Sequence, residues 1–305
     1  MKRYIVKRLL LGLLTIIGVS MIIFIAVRLS GDPVLLLVSP DASQEEIQKM
    51  KIELGLDKPV PVQYLIFMKN SLKGDFGRST RYRRPALELV LNRLPATIEL
   101  ALLAFIVSIT LGITIGVVSV TKPGSWFDVL GKTLAMLGQA MPEFWIGIMA
   151  ILIFSVQLGW LPTSGRGGLS HLILPSLTLG WYSAASIMRL TRSSMLQVMG
   201  SEYIKTARLK GNPERIVVWR HALRNALIPI VAMGGMQLGR LLGGAVIVET
   251  IFGWPGLGQL ILEAINTRDY SVVQTGVFIT STFFILLNLV VDLMYGIIDP
   301  RIRYE

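Results

Sequence analysis

The amino-acid sequence predicts an all-α integral membrane protein with six transmembrane helices and a small helical extracytoplasmic segment after the first. Three observations carry that prediction. Of 305 residues, 52% are hydrophobic and only 16% are charged. The apolar residues stand in unbroken runs rather than at amphipathic spacing, the pattern of helices surrounded by lipid. The basic residues, which bring the formal net charge to +11, gather in short segments between the runs, as they do in the cytoplasmic loops of membrane proteins.

A span needs about 20 apolar residues, because the hydrocarbon core is about 30 Å thick and a helix rises about 1.5 Å per residue. Six segments meet that length: Leu9 to Arg28, Ile98 to Val120, Leu130 to Val156, Ile173 to Met195, Asn225 to Thr250 and Gln274 to Ile298. The first is read as a retained span, since its run exceeds the about 7–15 residues of a signal-peptide core and no small-x-small cleavage site follows. Six spans place Lys2, Arg3, Lys7, Arg8, Lys122, Lys132, the stretch Glu202 to Arg224, and Arg301 and Arg303 on one side. Both termini are therefore expected in the cytoplasm. Arg78, Arg81, Arg83, Arg84 and Arg93 fall outside, in a segment long enough to be largely exempt from the charge rule.

The expected divisions are residues 1–29, the N-terminus and first span; 30–97, the extracytoplasmic segment; 98–298, a five-helix core with a cytoplasmic loop at 196–224; and a tail, 299–305. In the outer segment Ser43 and Glu46 form a capping box before Ile47, Met50 and Leu54, with Gly55 as the stop. A second helix is expected from Val62 to Leu72. This segment either covers the spans or offers a docking surface to an extracytoplasmic partner. A shorter outer segment, Ile251 to Val273, contains Trp254-Pro255-Gly256, a turn expected to bring an aromatic ring to the membrane interface.

Several chemistries are excluded. With no cysteine there is no disulfide, thiolate nucleophile or cysteine-based metal site. His171 and His221 are separated by topology and cannot share a metal or complete a Ser-His-Asp arrangement. Gly124 to Thr133, GSWFDVLGKT, ends like a phosphate-binding loop, but six residues separate its glycines where the nucleotide motif has four, and no strand precedes it. The chain is thus expected to be no enzyme, to hold no cofactor or metal, and to bind no nucleic acid, its basic surplus belonging to topology and the lipid bilayer.

Ionisable groups inside spans are informative, because a charge near the bilayer centre costs about 3 kcal/mol on insertion scales. Glu143, Arg189, Arg240 and Asp292 are the candidates. Arg189 and Asp292 lie close to the cytoplasmic end, where long side chains reach the interface. Arg240 sits near the middle of the fifth span among Gly235, Gly239 and Gly243, a spacing that admits a neighbouring helix or leaves room for a solute. It is expected to face a cavity, the alternative being an ion pair, to Glu143, within the helix packing. No chain of intramembrane carboxylates suggests a proton- or sodium-driven carrier.

The loop from Glu202 to Arg224 holds six Lys or Arg against two Glu. Tyr203, Ile204 and Ala207 form an apolar face flanked by Lys205, Arg208 and Lys210, and Ile216, Val217, Trp219 and Leu223 continue it. Gly211 suits a helix stop, Asn212 the cap of the next helix and Pro213 its first turn. The expected form is a short helix, a sharp turn and a second helix. It suits either an anionic lipid surface or, better, a groove on a protein.

The run YIKTARLKGNPERIVVWRHALRNALIPIV, beginning at Tyr203, resembles the cytoplasmic loop of ABC-importer permeases of the peptide, nickel and glutathione branch. So do Ser30-Gly31-Asp32-Pro33, LGLDKPVPVQY (Leu54 to Tyr64), GDFGRS (Gly74 to Ser79), ILPSLTLG (Ile173 to Gly180), VETIFGWPGLG (Val248 to Gly258), RDY (Arg268 to Tyr270) and DPRIRY (Asp299 to Tyr304), so the resemblance covers essentially the whole chain. Lys205 and Thr206 stand where the wider superfamily favours Glu and Ala, as in the peptide branch.

That resemblance implies a type I ABC importer permease in the cell inner membrane. Tyr203, Lys205, Thr206, Ala207, Arg208, Lys210 and Gly211 would form a coupling helix for one or two cytoplasmic ATPase subunits, which bind the ATP and Mg. A second homologous permease and an extracytoplasmic binding protein are the further partners implied. Di- or oligopeptides are the first substrate class, with glutathione, a nickel chelate or another small solute as alternatives. Arg240 and Glu143 match no landmark of the branch, and with Gly239 and Gly243 they stand as pathway candidates on their chemistry alone. Two rival classes remain, an ion-coupled carrier and a membrane scaffold without transport.

Overall fold

The computed structural model describes residues 2–29, 43–53, 57–121 and 123–298, and its regular elements are helices, with a single isolated antiparallel bridge from Arg78 to Pro85. Outside the described residues lie Ser30 to Pro33, Leu54 to Leu56 with the Gly55 stop, Lys122, and the tail 299–305 with Arg301 and Arg303; the side chains of Lys2, Arg3, Lys7, Ile47, Met50 and Asp292 lie outside as well. Two compact units make up the chain.

The first unit comprises Met1–Pro95 and Gly256–Leu289. It contains α1 (Lys2–Leu29), α2 (Gln44–Glu53), α3 (Val60–Ser71), the start of α4 (Ala86–Thr121), α11 (Leu257–Asn266) and most of α12 (Tyr270–Ile298). The capping box forms: the Ser43 amide donates to Glu46 Oε2 at 2.9 Å and the Glu46 amide to Ser43 Oγ at 3.3 Å. Helix α3 starts at Val60 rather than Val62 because Pro61 fits its first turn.

Helix α3 lies on the end of α1. Phe24 meets Tyr64 edge-on at 5.3 Å, and Arg28 donates to Gln63 Oε1 at 2.8 and 2.6 Å while stacking on Phe24 at 3.4 Å. An arginine at the last turn of an apolar helix is thus satisfied by a neighbouring amide and ring. The segment 72–85 is fastened by Asp269, only 1% exposed, which accepts from Ser79 Oγ and from the amides of Arg81 and Val272.

The second unit comprises Ala96–Pro255 and Val290–Glu305. It holds the rest of α4, α5 (Trp126–Ala140), α6 (Glu143–Ala150) continued by a π-helical stretch (Ile151–Gln157), α7 (Ser170–Met199), α8 (Glu202–Leu209), α9 (Glu214–Ile216) continued by a second π-helical stretch (Val217–Ala222), and α10 (Leu223–Ile251). Helix α7 is central, packing against α5, α6 and α10. Against α4 the approach is backbone to backbone: a Cβ at Gly112 would stand 2.9 Å from the Ala184 carbonyl oxygen, and one at Gly116 would stand 2.9 Å from the Met188 carbonyl oxygen. Small residues four apart are the usual means of such an approach between apolar helices.

Two expectations are corrected, and a third is met in part. The expected third span, Leu130 to Val156, is not one helix: α5 and α6 meet at 113° around Met141 and Pro142. Proline lacks the amide a continuing helix needs and pushes its predecessor to extended backbone, and Met141 has ψ 134°. The expected fourth span is helical, as α7, but is not among the four helices apolar enough to cross a membrane, or five if the bent pair is one span. Its Ser and Thr residues with Arg189 and Arg192 lower its hydropathy, and a helix walled by protein needs no lipid-compatible surface. Trp254, expected at the membrane interface, is fully buried, donating from Nε1 to the Ala96 carbonyl at 2.9 Å.

Asp269→Ala should destabilise the purified protein by about 2–4 kcal/mol, because it strands buried donors. Ser79→Ala should cost about 1 kcal/mol. Thermal unfolding in detergent measures both, and equal losses would contradict the fastening described.

Candidate functional site

Two sites emerge, both within the second unit. The first is the loop built on α8. Ile204 is completely buried and Ala207 nearly so, packed with Val117 and Val120 of α4, Met195 of α7, and Val217, Val218 and Ala222 of the π-helical stretch. Burying one isoleucine side chain contributes about 2–3 kcal/mol. That is enough to hold a two-turn helix which could not persist alone.

The opposite face is open. Tyr203, Lys205, Thr206, Arg208, Lys210 and Gly211 are exposed, whereas Ala207 points inward and serves as an anchor. Leu209, not singled out from sequence, is 88% exposed at the tip of the loop. Ile216 and Trp219 also face out while Val217 faces in, because the π-helical winding shifts side-chain direction away from the 3.6-residue period.

The turn itself is chemically defined. Gly211 has φ 76°, the left-handed conformation expected of it. Asn212 does not cap the following helix: its Nδ2 donates back to the Ala207 carbonyl at 2.9 Å, closing α8 instead. Pro213 occupies the cap position of α9, one residue earlier than expected, and its carbonyl accepts from Ile216 at 2.8 Å. Arg208 clasps Glu214 across the turn with two bonds, Nε to Oε2 at 3.1 Å and an Nη to Oε1 at 2.7 Å. Arg208's hydrogen bond holds the Glu214 carboxyl below the usual glutamate range. The clasp is therefore complete above that range and is lost as pH falls through the lowered value. Both side chains are solvated, so it contributes about 0.5 kcal/mol.

The second site joins three helices. Glu143 is the first residue of α6, a position that favours a carboxylate at the positive end of the helix. Its Oε1 accepts from Arg240 of α10 at 2.9 Å, and the Arg240 guanidinium lies 3.5 Å from the ring centre of Tyr182 on α7. The ion pair that stood as the alternative to a cavity-facing arginine thus forms, and the break at Pro142 is what presents Glu143. Tyr182 was not foreseen, since an aromatic among apolar residues carries no signal of its own. Gly239 is buried in helix packing; Gly243 is exposed, with nothing within 4 Å of where a Cβ would stand.

Other charges are structural. Asp128, buried on α5, accepts from Lys132 at 2.7 Å, from Arg192 of α7 at 3.2 Å and from the Gly124 amide at 3.1 Å. The loop-like motif at Gly124 to Thr133 is therefore a capped helix start whose lysine is engaged. Glu249, fully buried near the end of α10, accepts from Thr97 at 2.6 Å. Arg189 is exposed on α7. His171 is within 3.5 Å of Ser170 Oγ, and no cluster able to hold a metal ion occurs among the described residues.

Comparison with known proteins places this architecture. A family model described as "binding-protein-dependent transport system inner membrane component" matches residues 108–304, and a model for the N-terminal membrane component of the same systems matches residues 1–101. The dipeptide transport system permease protein DppB of Alkalihalophilus pseudofirmus is 42% identical, with 100% of each chain covered. The glutathione transport system permease protein GsiC of Salmonella typhimurium is 44% identical, again over 100% of each chain. Among solved structures, the inward-facing MetNI methionine ABC transporter matches with a TM-score of 0.55 at 18% identity, covering 70% of this chain and 97% of that one. An amino acid ABC transporter matches at a TM-score of 0.53 and 15% identity, covering 70% and 94%. The chain belongs to the family of binding-protein-dependent inner membrane transport components, and it is a permease component of an ABC importer.

Proposed function

We propose that this permease carries short peptides inward, forming half of a translocation pathway with a second, homologous permease. The names of the relatives support the substrate class, since dipeptides and glutathione are both short peptides with free carboxylates. Glutathione itself is the second reading. An extracytoplasmic binding protein delivers the solute, and one or two cytoplasmic ATPases bind and hydrolyse ATP with Mg. Both chain termini and the α8 loop face the cytoplasm in this reading, with six passages through the inner membrane, the bent pair α5–α6 and the polar α7 each counting as one. The outer segment, 30–97, then lies on the binding-protein side.

One observation carries the coupling role: α8 is anchored by Ile204 and Ala207 and turns an open face of Tyr203, Lys205, Thr206, Arg208, Leu209 and Lys210 outward. A bare leucine among cations, ending in a rigid turn, fits a groove on another protein better than it fits water. In the proposed cycle, ATP-driven closure of the ATPases moves α8. Its packing against α4, α7 and the π-helical stretch passes that motion to the helices, so the pathway opens outward and resets after hydrolysis. The chemistry of hydrolysis stays with the partners.

The Arg240–Glu143 pair supports a pathway-facing role on physical grounds. Its arginine is 41% exposed about 16 Å from the end of α10. Open to lipid, such a charge costs about 3 kcal/mol. Water, solute or the second permease is the favourable neighbour.

Purification from the native membrane in mild detergent, with mass spectrometry of the associated chains, should recover a second permease and at least one ATPase. Recovery of this chain alone at every detergent strength would return the weight to a carrier or scaffold. In the assembled complex, Gly211→Val forces a β-branched residue into the left-handed region at a cost of about 1–2 kcal/mol. Uptake per ATP hydrolysed should fall about tenfold, and unaltered coupling would remove the role assigned to α8. Arg240→Ala should lower uptake with assembly preserved; wild-type uptake and selectivity would dismiss the pathway role.

A further inference from the structure

The ion pair at Arg240 differs from the buried cluster at Asp128 in how much of it is left unused. Asp128 is saturated by two cations and a backbone amide. Arg240 has five N–H donors, and one of them reaches Glu143. Glu143 in turn accepts on Oε1 alone among the described residues, although its side chain is only 19% exposed. Gly244 stands beside the other oxygen, where a Cβ would lie 3.7 Å from Oε2. Gly243, one turn beyond Arg240 on the same face of α10, opens onto free space. The Tyr182 ring centre lies 3.5 Å from the guanidinium carbon, and the N–H groups that do not reach Glu143 are left for a planar, two-pronged acceptor.

We infer that Arg240 and Glu143 form a solute-binding pair for zwitterions: Arg240 takes the carboxylate of a small solute and Glu143 takes its ammonium group. In the absence of solute the two residues neutralise each other, so neither charge is stranded. When a zwitterion enters, one ion pair is exchanged for two, with no net charge brought into the membrane. A singly charged solute would leave one member of the pair unmatched, at the cost of a charge in a low-dielectric site. The site would therefore screen for paired end charges after the binding protein has made its own selection. A phospholipid phosphate is the other oxyanion in a membrane, but headgroups lie at the bilayer surface, whereas Arg240 is near the middle of α10. This inference rests on the reading that α10 lines the pathway.

The absence of cysteine from the chain makes both layers testable together. Gly243→Cys, assembled with the native partner subunits but without the binding protein, is treated with a water-soluble methanethiosulfonate, and labelling of this chain is followed by mass spectrometry. Ile247→Cys, exposed one turn further along α10, replaces it if the glycine variant does not assemble. A pathway-facing thiol is labelled; a thiol buried in lipid or against protein is not, and that outcome would overturn the pathway reading and the inference with it. Given labelling, millimolar trialanine should slow it. Trialanine amide, which lacks the carboxylate, should need about tenfold higher concentration for the same protection, the value of a charge-assisted contact. Arg240→Gln should abolish that difference, and Glu143→Gln should abolish the difference between trialanine and its N-acetyl form. Equal protection by acid and amide, no protection by either, or discrimination that survives Arg240→Gln would leave the pathway standing and overturn the zwitterion site.

Discussion

Lipid offers the backbone no hydrogen-bond partner, and this constraint governs the architecture of the chain. Every amide and carbonyl in the hydrocarbon must be satisfied within the protein, so long apolar segments become helices. An interruption is tolerated only where other protein groups take over the freed positions. Met141 and Pro142 mark such an interruption. The Met141 amide still reaches back to Leu137 at 3.0 Å, and the Pro142 carbonyl accepts from Trp145 at 3.1 Å and Ile146 at 3.2 Å. The chain therefore turns through 113° with the backbone of the break still hydrogen-bonded.

That break is also what creates the charged site. A continuous helix from Leu130 to Val156 would carry Glu143 mid-helix, where a carboxylate gains nothing from the backbone. Starting a new helix at Glu143 sets the carboxylate at a positive helix end and within reach of Arg240. Close helix approach supports the same arrangement from the other side. Gly112 and Gly116 let α4 and α7 meet at backbone distance, while α7, which presents Tyr182 to Arg240, is walled by neighbours and can carry polar residues that a lipid-facing helix could not.

The loop at α8 uses the opposite strategy, a small buried anchor and a rigid exposed tip. Ile204 and Ala207 bind it to three other elements, and Gly211, Asn212 and the Arg208–Glu214 clasp fix the shape of its end. A rigid knob transmits displacement better than a flexible one, because little of the motion is absorbed in bending. The π-helical stretch from Val217 to Ala222 joins this knob directly to α10, the helix that bears Arg240. A single continuous element thus runs from the exposed loop to the charged pair.

By itself the sequence determined the solvent, the helical class, the capping box at Ser43 and the left-handed turn at Gly211, because each depends on residues close together in the chain. Apolar runs, a Ser-x-x-Glu spacing and a glycine ahead of a proline carry their physics locally. It also named Arg240 and Glu143, since a charge inside an apolar run is conspicuous whatever surrounds it. Tertiary structure alone decided that these two meet, that Tyr182 stacks beside them, that Ala207 faces inward while Leu209 faces out, and that Trp254 is buried rather than interfacial. Those facts depend on which helix lies against which, and side-chain direction follows from local winding and neighbour contacts that no period in the sequence records.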